Sequence, residues 1–318
     1  MKTNFNFLNK HLYILATLLV SSLCFTGCWR DIDGGDLVGD NGTLIYVESI
    51  LKSDESPSVV VKSAESAYSG RTPSILTDDE VEVSIGTSDW SRVLDFDKAS
   101  QDFSLEGFKT FEGVDYRLNI IHKENEAIKS AFSKVVVPLK EKFSDLNFIE
   151  DYNAQSTIGY YNYSYDVAVS FKEESNGDFY LVLPVSRKVA KEGTIIQYDD
   201  EYNPYIINEL YDAPRGARIT NDSHGLLVSL QDTDERTIAF NVSLDGNLYG
   251  FNDNRLQKHV YFYLWNITED YYKYIKSGGE STLTSNTLIE PAVEYSNIDN
   301  GGGIFGGASI TIDSIAIQ

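Results

Sequence analysis

The sequence is poor in cysteine, with two residues among 318, Cys24 and Cys28. Both lie near the amino terminus, so the rest of the chain has no thiol that could form a disulfide or bind zinc. Burial of apolar side chains must therefore stabilise the folded part. Apolar residues make up 42% of the sequence, which is enough for a sizeable core.

Basic residues are also scarce. The chain has 26 Lys and Arg against 48 Asp and Glu, which gives a formal charge of −22 at pH 7. A body with this charge is repelled by phosphate backbones and by anionic lipid headgroups. The composition therefore argues against a nucleic-acid partner and against a basic membrane-binding patch.

The apolar run near the amino terminus, Leu12–Leu23, is short for a bilayer span, which needs roughly 20 residues. It follows two lysines, and a positive segment before a short apolar segment predicts a secretion signal. The run Phe25-Thr26-Gly27-Cys28 closes this signal. It resembles a lipobox, at which a bacterial lipoprotein is lipidated on sulfur and then cut. We therefore expect residues 1–27 to be a signal peptide and Cys28 to carry lipid.

Lipid on Cys28 would anchor the protein to a membrane. Each buried methylene contributes about 0.8 kcal/mol, so a diacylglyceryl group plus an N-acyl group anchors a chain almost permanently. Residues 28–42 are rich in glycine and aspartate, which predicts a flexible tether. Asp31 and Asp33 resemble the acidic export signal of Bacteroidota surface lipoproteins. We expect an outer-membrane protein, on the cell surface or on the periplasmic face.

After the tether, the sequence consists of short strand-like runs. In residues 80–85, for example, Val81, Val83 and Ile85 alternate with polar residues, as in a strand with one buried face. Runs of this kind within residues 43–139 predict an immunoglobulin-like or fibronectin-like β-sandwich. They are Leu44–Leu51, Ser58–Ala64, Glu80–Ile85, Arg92–Phe96, Phe103–Leu105, Asp115–His122 and Ser130–Val137.

The second half of the chain also predicts strands. Residues 140–155 are polar and follow Pro138, so we expect a linker there and a second β-rich domain over residues 156–318. Its predicted strands are Ile158–Phe171, Phe179–Val185, Thr194–Tyr198, Leu226–Leu230, Thr237–Leu244, His259–Asn266 and Ala308–Ile317. Residues 199–223 have little periodicity and predict a long irregular loop. The expected fold class is all-β, with two β-sandwich modules.

A single short helix is predicted over residues 269–277. Thr268 is suited to the N-cap, acidic residues follow it, and Gly278 is suited to end the helix. Tyr271, Tyr274 and Ile275 share one face, which we expect to pack on the sheet.

Two C-terminal segments carry a resemblance to a known family. They are His259-Val-Tyr-Phe-Tyr-Leu-Trp-Asn-Ile-Thr-Glu-Asp-Tyr-Tyr-Lys-Tyr and Glu294-Tyr-Ser-Asn-Ile-Asp-Asn-Gly-Gly-Gly-Ile-Phe-Gly-Gly-Ala. The chain resembles a Bacteroidota outer-membrane lipoprotein family known only as domain of unknown function number 4249. The resemblance implies an outer-membrane lipoprotein found beside large TonB-dependent transport proteins. It implies no reaction and no ligand.

Motifs for common catalytic chemistry do not match this sequence. Gly301-Gly302-Gly303-Ile304-Phe305-Gly306 has the spacing of a dinucleotide-binding loop, but a strand-like run follows it where a helix is required. We expect a turn that places Ile304 and Phe305 in the core. His122, His224 and His259 have no metal-ligand spacing. Asp222 and Ser223 precede His224, but triad partners normally come from separate loops.

Acidic clusters in the sequence could act as calcium ligands or as paired carboxylates. The first candidate for a metal site is the run Asp199-Asp200-Glu201, although it lacks the pattern of a twelve-residue calcium loop. A solvated loop is the alternative interpretation. A glycosidase pair also stays open, because its carboxylates come from distant strands.

Four tyrosines in the predicted loop are the candidate ligand-binding residues. Exposed tyrosine can stack on a sugar ring or anchor a protein partner, and can equally pack on its own fold. The four residues are Tyr198, Tyr202, Tyr205 and Tyr211.

Together these observations predict a lipid-anchored envelope protein that binds a partner, without enzymatic activity and without a cofactor. The expected partner is an outer-membrane transporter or another envelope protein, with a glycan or a peptide next. A structural or adhesive surface component, such as a pilus anchor, is the alternative, and a glycan-acting hydrolase is a third.

Overall fold

A computed structural model of the chain describes residues 44–64, 74–123, 130–153, 163–171, 177–190, 203–204, 206–222, 225–243, 256–277 and 295–317. These residues form strands in sheets and one short helix, which confirms the all-β prediction. In this part of the chain, no helix is long and apolar enough to cross a bilayer.

The elements are, in chain order, β1 (Leu44–Lys52), β2 (Ser58–Ala64), β3 (Ser74–Ile75), β4 (Val81–Gly86), β5 (Ser91–Val93), β6 (Asp95–Asp97), β7 (Asp102–Ser104), β8 (Asp115–His122), β9 (Ala131–Val136), β10 (Phe143–Asn153), β11 (Tyr163–Phe171), β12 (Phe179–Ala190), β13 (Asn203–Pro204), β14 (Ile206–Asp212), β15 (Arg218–Asp222), β16 (Gly225–Ser229), β17 (Thr237–Ser243), β18 (Leu256–Ile267), α1 (Glu269–Lys276) and β19 (Gly301–Ile317).

The described strands form one large sheet and two smaller ones. The large sheet has the order β15-β16-β12-β18-β19-β1-β2-β7-β6, with β13 beside β12 and β3 beside β2. The smaller sheets have the orders β5-β4-β8-β9 and β10-β11-β17-β14. Each smaller sheet packs on a different part of the large one.

Alternating side chains form the first core between the β5-β4-β8-β9 sheet and strands β1 and β2. In β8, Tyr116, Leu118 and Ile120 are buried while their neighbours face outward. They belong to the same apolar cluster as Val47 of β1 and Val61 of β2. The period of two that predicts these strands is the period that buries them.

The second core lies between the β10-β11-β17-β14 sheet and strands β12, β16 and β18. Val167 and Phe240 contribute from the smaller sheet, and Tyr180, Val228 and Phe262 contribute from the large one. All five are almost completely buried.

Strand β19 connects the two parts of the large sheet. It pairs antiparallel with β18 and parallel with β1, where Ile45 lies opposite Gly301 and Lys52 lies opposite Ala308. Outside these strands, Phe132 and Asp299 exchange two backbone hydrogen bonds of 3.2 and 2.9 Å. One sheet therefore contains strands from both sides of the predicted linker, and the module boundaries stay a prediction.

Several segments differ from their predicted local structure. Arg92–Phe96, expected as one strand, is divided between β5 and β6, which belong to different sheets. Within residues 140–155, expected as a linker, Phe143–Asn153 is strand β10. Within residues 199–223, expected as an irregular loop, the described residues include β13, β14 and β15. Gly301–Gly303, expected as a turn, is the beginning of β19. Strands β10, β14 and β15 each lie at the end of a sheet order, where polar side chains are tolerated.

Candidate functional site

Helix α1 begins at the predicted residue and ends at Lys276 with Ser277 as its C-cap, one residue before the predicted end. Thr268 is the N-cap, and its side chain accepts a hydrogen bond from the Tyr271 backbone N–H over 3.4 Å. Glu269 and Asp270 lie in the first turn, where they interact favourably with the helix dipole. The buried face comprises Tyr271, Tyr272, Tyr274 and Ile275, so the predicted packing face is confirmed and includes one more tyrosine.

A cleft lies between α1 and strand β1. The odd-numbered β1 residues from Ile45 to Leu51 are buried in or beside the first core, so the even-numbered residues lie on the opposite face of the sheet. On that face, the hydroxyls of Tyr46 and Tyr274 are 3.1 Å apart. The cleft has a volume of about 350 Å³. It is lined by Glu48, Ser49, Ile50, Lys52, Glu55, Ser56, Ser58, Trp265, Tyr271, Tyr274 and Ile304.

The charged side chains of the cleft are paired with one another. Lys62 Nζ of β2 donates to Glu48 Oε1 over 2.7 Å. Lys52 Nζ lies 3.8 Å from Glu55 Oε2. Two carboxylates and one ammonium group therefore line the cleft, and Lys62, which is not part of the lining, balances the second carboxylate.

Trp265 of β18 supplies the largest aromatic surface of the cleft. Lys52 Nζ lies 5.1 Å from the centroid of the indole ring, within the range of a cation–π interaction. The buried indole Nε1 has no hydrogen-bond partner among the described residues. The ring packs against the apolar cluster that contains Ile304, and both residues line the cleft.

A second polar cluster holds the segment before β19 against α1. The Tyr295 hydroxyl donates to Asp270 Oδ1, and Asn297 Nδ2 donates to Asp270 Oδ2 over 3.2 Å. Burial is the main cause that raises the pKa of Tyr295, and the hydrogen bond to Asp270 raises it further. The phenol is therefore protonated at neutral pH, as a structural hydrogen-bond donor requires.

The glycine-rich run that resembles a dinucleotide loop has a structural role. Its residues lie in β19, next to β1. Gly303 has φ of +94°, and a Cβ atom there would lie 2.0 Å from the Val47 carbonyl O. Ile304 and Phe305 are buried on opposite faces of the strand, as part of two different clusters. Glycine is needed here for close backbone packing.

Most residues singled out from the sequence lie outside the described part of the chain, so their roles stay predictions. Tyr211 is within β14. The others are Cys28, Tyr198, Asp199, Asp200, Glu201, Tyr202, Tyr205 and His224.

The remaining histidines and acids show no arrangement for chemistry among the described residues. His122 is half-buried at the end of β8, and His259 lies within β18. Asp232 is exposed and accepts a hydrogen bond from Arg218 over 2.9 Å. In the described ranges, no three His, Cys, Asp or Glu side chains are grouped so that they could hold a metal ion.

The cleft residues Lys52, Glu55 and Trp265 are not evident from sequence patterns. They come together only because β1 and β19, from opposite ends of the chain, pair side by side. One signal was present: Trp265, Tyr271 and Tyr274 all belong to the first of the two segments that carry the family resemblance.

Comparison with known proteins gives a family and little more. A family model described as "Domain of unknown function (DUF4249)" matches residues 33–313. No curated protein matches the chain. A solved structure described as "Complete structure of manganese lipoxygenase of Gaeumannomyces graminis and partial structure of zonadhesin of Komagataella pastoris" is 13% identical, over 69% of this chain and 88% of that one. Its TM-score is 0.18, which is too low for any argument.

Proposed function

The chain belongs to the DUF4249 family of unknown function, and we propose that it is a lipid-anchored envelope protein with a non-catalytic binding or accessory role. The observation that carries the proposal is the run Phe25-Thr26-Gly27-Cys28 directly after an apolar signal segment. After removal of residues 1–27, Cys28 would be the first residue, and its acylation would anchor the β-rich part of the chain to a membrane.

The described body offers a place for binding. The cleft beside α1 is lined by aromatic side chains together with polar and charged ones, which can orient a ligand. It involves β1 from Glu48 onward, and β1 is the first described element after the predicted tether.

The proposed setting is the outer membrane of a member of the Bacteroidota. The proposed partner is an outer-membrane transporter of the TonB-dependent type or another envelope protein. A tether of 15 residues could reach at most about 50 Å, which restricts such a partner to the neighbourhood of the anchor.

Affinity capture tests the proposal. The native protein, tagged at its carboxyl terminus, is crosslinked in cells and recovered from detergent-solubilised outer membranes. We expect a transporter or another envelope protein to be recovered with it. The control is a Cys28→Ser variant, which should be absent from the membrane fraction. Recovery of the wild type without an envelope partner, or from the soluble fraction, would contradict the proposal.

A further inference from the structure

The cleft between α1 and β1 is the size of a small-molecule site. Its volume of about 350 Å³ is at the lower end of the range for ligand pockets, roughly 300–1,000 Å³. Trp265, Tyr271 and Ile304 contribute apolar lining atoms, of which those of Tyr271 and Ile304 are almost completely buried, and Glu48 and Glu55 contribute carboxylates. A ligand of this cleft must therefore have both an apolar face and polar groups.

The charged walls exclude a purely apolar ligand. The Glu48 side chain is 17% exposed, and those of Lys52 and Glu55 are 34% and 57% exposed, so all three retain contact with water. An apolar molecule in the cleft would remove this water and provide no hydrogen bond in return, which is unfavourable. The ligand must therefore carry hydrogen-bonding groups.

The pairing of the charges disfavours an ionic ligand. Glu48 is satisfied by Lys62 over 2.7 Å, and Lys52 lies near Glu55. A charged ligand would have to displace one partner of a pair. An anion would also approach a chain with a net charge of −22, which opposes binding.

From these constraints we infer that the cleft binds a neutral saccharide, an inference that rests on the proposed binding role and names its ligand class. A sugar ring offers a C–H face that can pack on the part of the half-buried Trp265 indole that Lys52 Nζ does not cover. Each hydroxyl both donates and accepts, so adjacent hydroxyls can donate to Glu48 and accept from Lys52 while the ion pairs persist. A neutral peptide has fewer groups of this dual kind.

The test uses the mature lipoprotein in lipid nanodiscs, because glycoside detergents would compete for the cleft. The probes are neutral trisaccharides of glucose, mannose, xylose and N-acetylglucosamine. Trigalacturonate and a blocked tetra-alanine peptide serve as acidic and peptide probes. Calorimetry should detect saturable binding of at least one neutral trisaccharide. Binding should also change the tryptophan fluorescence, and this change should be absent in Trp265→Leu. Binding of trigalacturonate alone, of the peptide alone, or of no probe would overturn the inference.

Two variants locate the binding. Trp265→Leu should weaken the affinity by about tenfold or more, since a central aromatic side chain is lost. The matched control is Trp90→Leu. In the wild type, the Trp90 ring packs on Phe108 beside the first core, with ring centroids 5.3 Å apart. The affinity of this variant for the trisaccharide should be unchanged. If Trp265→Leu does not fold, Lys52→Met replaces it, with a severalfold loss expected. Unchanged affinity in the folded cleft variant would overturn the inference.

The result of the saccharide-binding test can be distinguished from the result of the lipid-anchoring test. Incorporation into nanodiscs reports the lipid anchor, and calorimetry on the same sample reports the cleft. A lipidated protein that binds no saccharide leaves the anchoring proposal intact and removes only the ligand.

Discussion

The side chain of Asn297 pairs with the backbone of Phe305 as a neighbouring strand would. The Phe305 N–H donates to Asn297 Oδ1 over 2.9 Å, and Asn297 Nδ2 donates to the Phe305 carbonyl O, also over 2.9 Å. The antiparallel ladder of β18 with β19 ends at the pair Ile267 and Ala308. At Phe305, β18 no longer pairs with β19 because the chain has turned into α1. The Asn297 amide satisfies the backbone groups of Phe305 in its place.

Thr268 makes hydrogen bonds with Gly307, which lies in β19 between Phe305 and the last paired residue, Ala308. Its backbone N–H donates to the Gly307 carbonyl O over 3.0 Å, and its side-chain oxygen accepts from the Gly307 N–H over 3.2 Å. The two segments that carry the family resemblance thus meet at the start of the helix. In this chain, their contact stabilises the junction of α1 and β19.

Removal of the Asn297 amide should destabilise the fold. Asn297→Ala leaves the Phe305 N–H and carbonyl without these partners, and two unsatisfied backbone groups should lower the free energy of unfolding by about 3 kcal/mol. Urea denaturation followed by circular dichroism measures this. Asn147→Ala is the control, because Asn147 is exposed and its side chain donates to the Asp145 carboxylate. Equal stability of the two variants would refute the role of Asn297.

Gly303 should tolerate no side chain. Gly303→Ala would place Cβ 2.0 Å from the Val47 carbonyl O at a φ of +94°, so we expect a loss of at least about 3 kcal/mol. Gly107→Ala is the matched control, since Gly107 also has positive φ, +72°, but nothing lies within 4 Å of its Cβ position. It should lose only about 1 kcal/mol. Thermal unfolding distinguishes the two, and similar melting temperatures would contradict the packing argument.

The Thr268 hydroxyl should stabilise α1 and β19 together. Thr268→Ala removes the acceptor of the Tyr271 and Gly307 N–H groups, with an expected cost of about 1–2 kcal/mol. Thr268→Ser keeps the oxygen and should recover most of this. Hydrogen exchange should show faster exchange at both N–H groups in the alanine variant. Unaltered exchange at Gly307 would indicate that the second bond contributes little.

The buried phenol of Tyr295 should make stability fall at alkaline pH. Its pKa is raised in the folded state by burial and by Asp270, while in the unfolded chain it titrates near 10. The stabilisation is complete below about pH 10 and is lost above it, where only the unfolded phenol ionises readily. Urea denaturation from pH 8 to 11.5 should show a shallower decline for Tyr295→Phe than for the wild type. Parallel curves would contradict the raised pKa.

Sequence patterns predicted the strands that have one buried face and one solvent face. Ser58–Ala64 and Asp115–His122 have the bounds expected from alternation alone. Helix α1 was predictable because its N-cap, its charges and its aromatic face all agree. Local sequence patterns are sufficient to predict an element when its buried side chains recur at the period of a strand or a helix.

Three strands were not predicted from the sequence for the same physical reason. Strands β10, β14 and β15 lie at sheet edges, where one side of the backbone is unpaired in the sheet and polar residues weaken the alternation. The cleft was missed for a different reason. It depends on the parallel pairing of β1 with β19, and no local pattern encodes a partner at the other end of the chain.

The covalent state of Cys28 tests the central claim most directly. The measurement is the mass of the amino-terminal peptide from the native protein, extracted from membranes. We expect a chain that begins at Cys28, with a diacylglyceryl group on Sγ and a fatty acyl group on the amino nitrogen. A chain that retains residues 1–27, or a Cys28 with a free thiol, would contradict it.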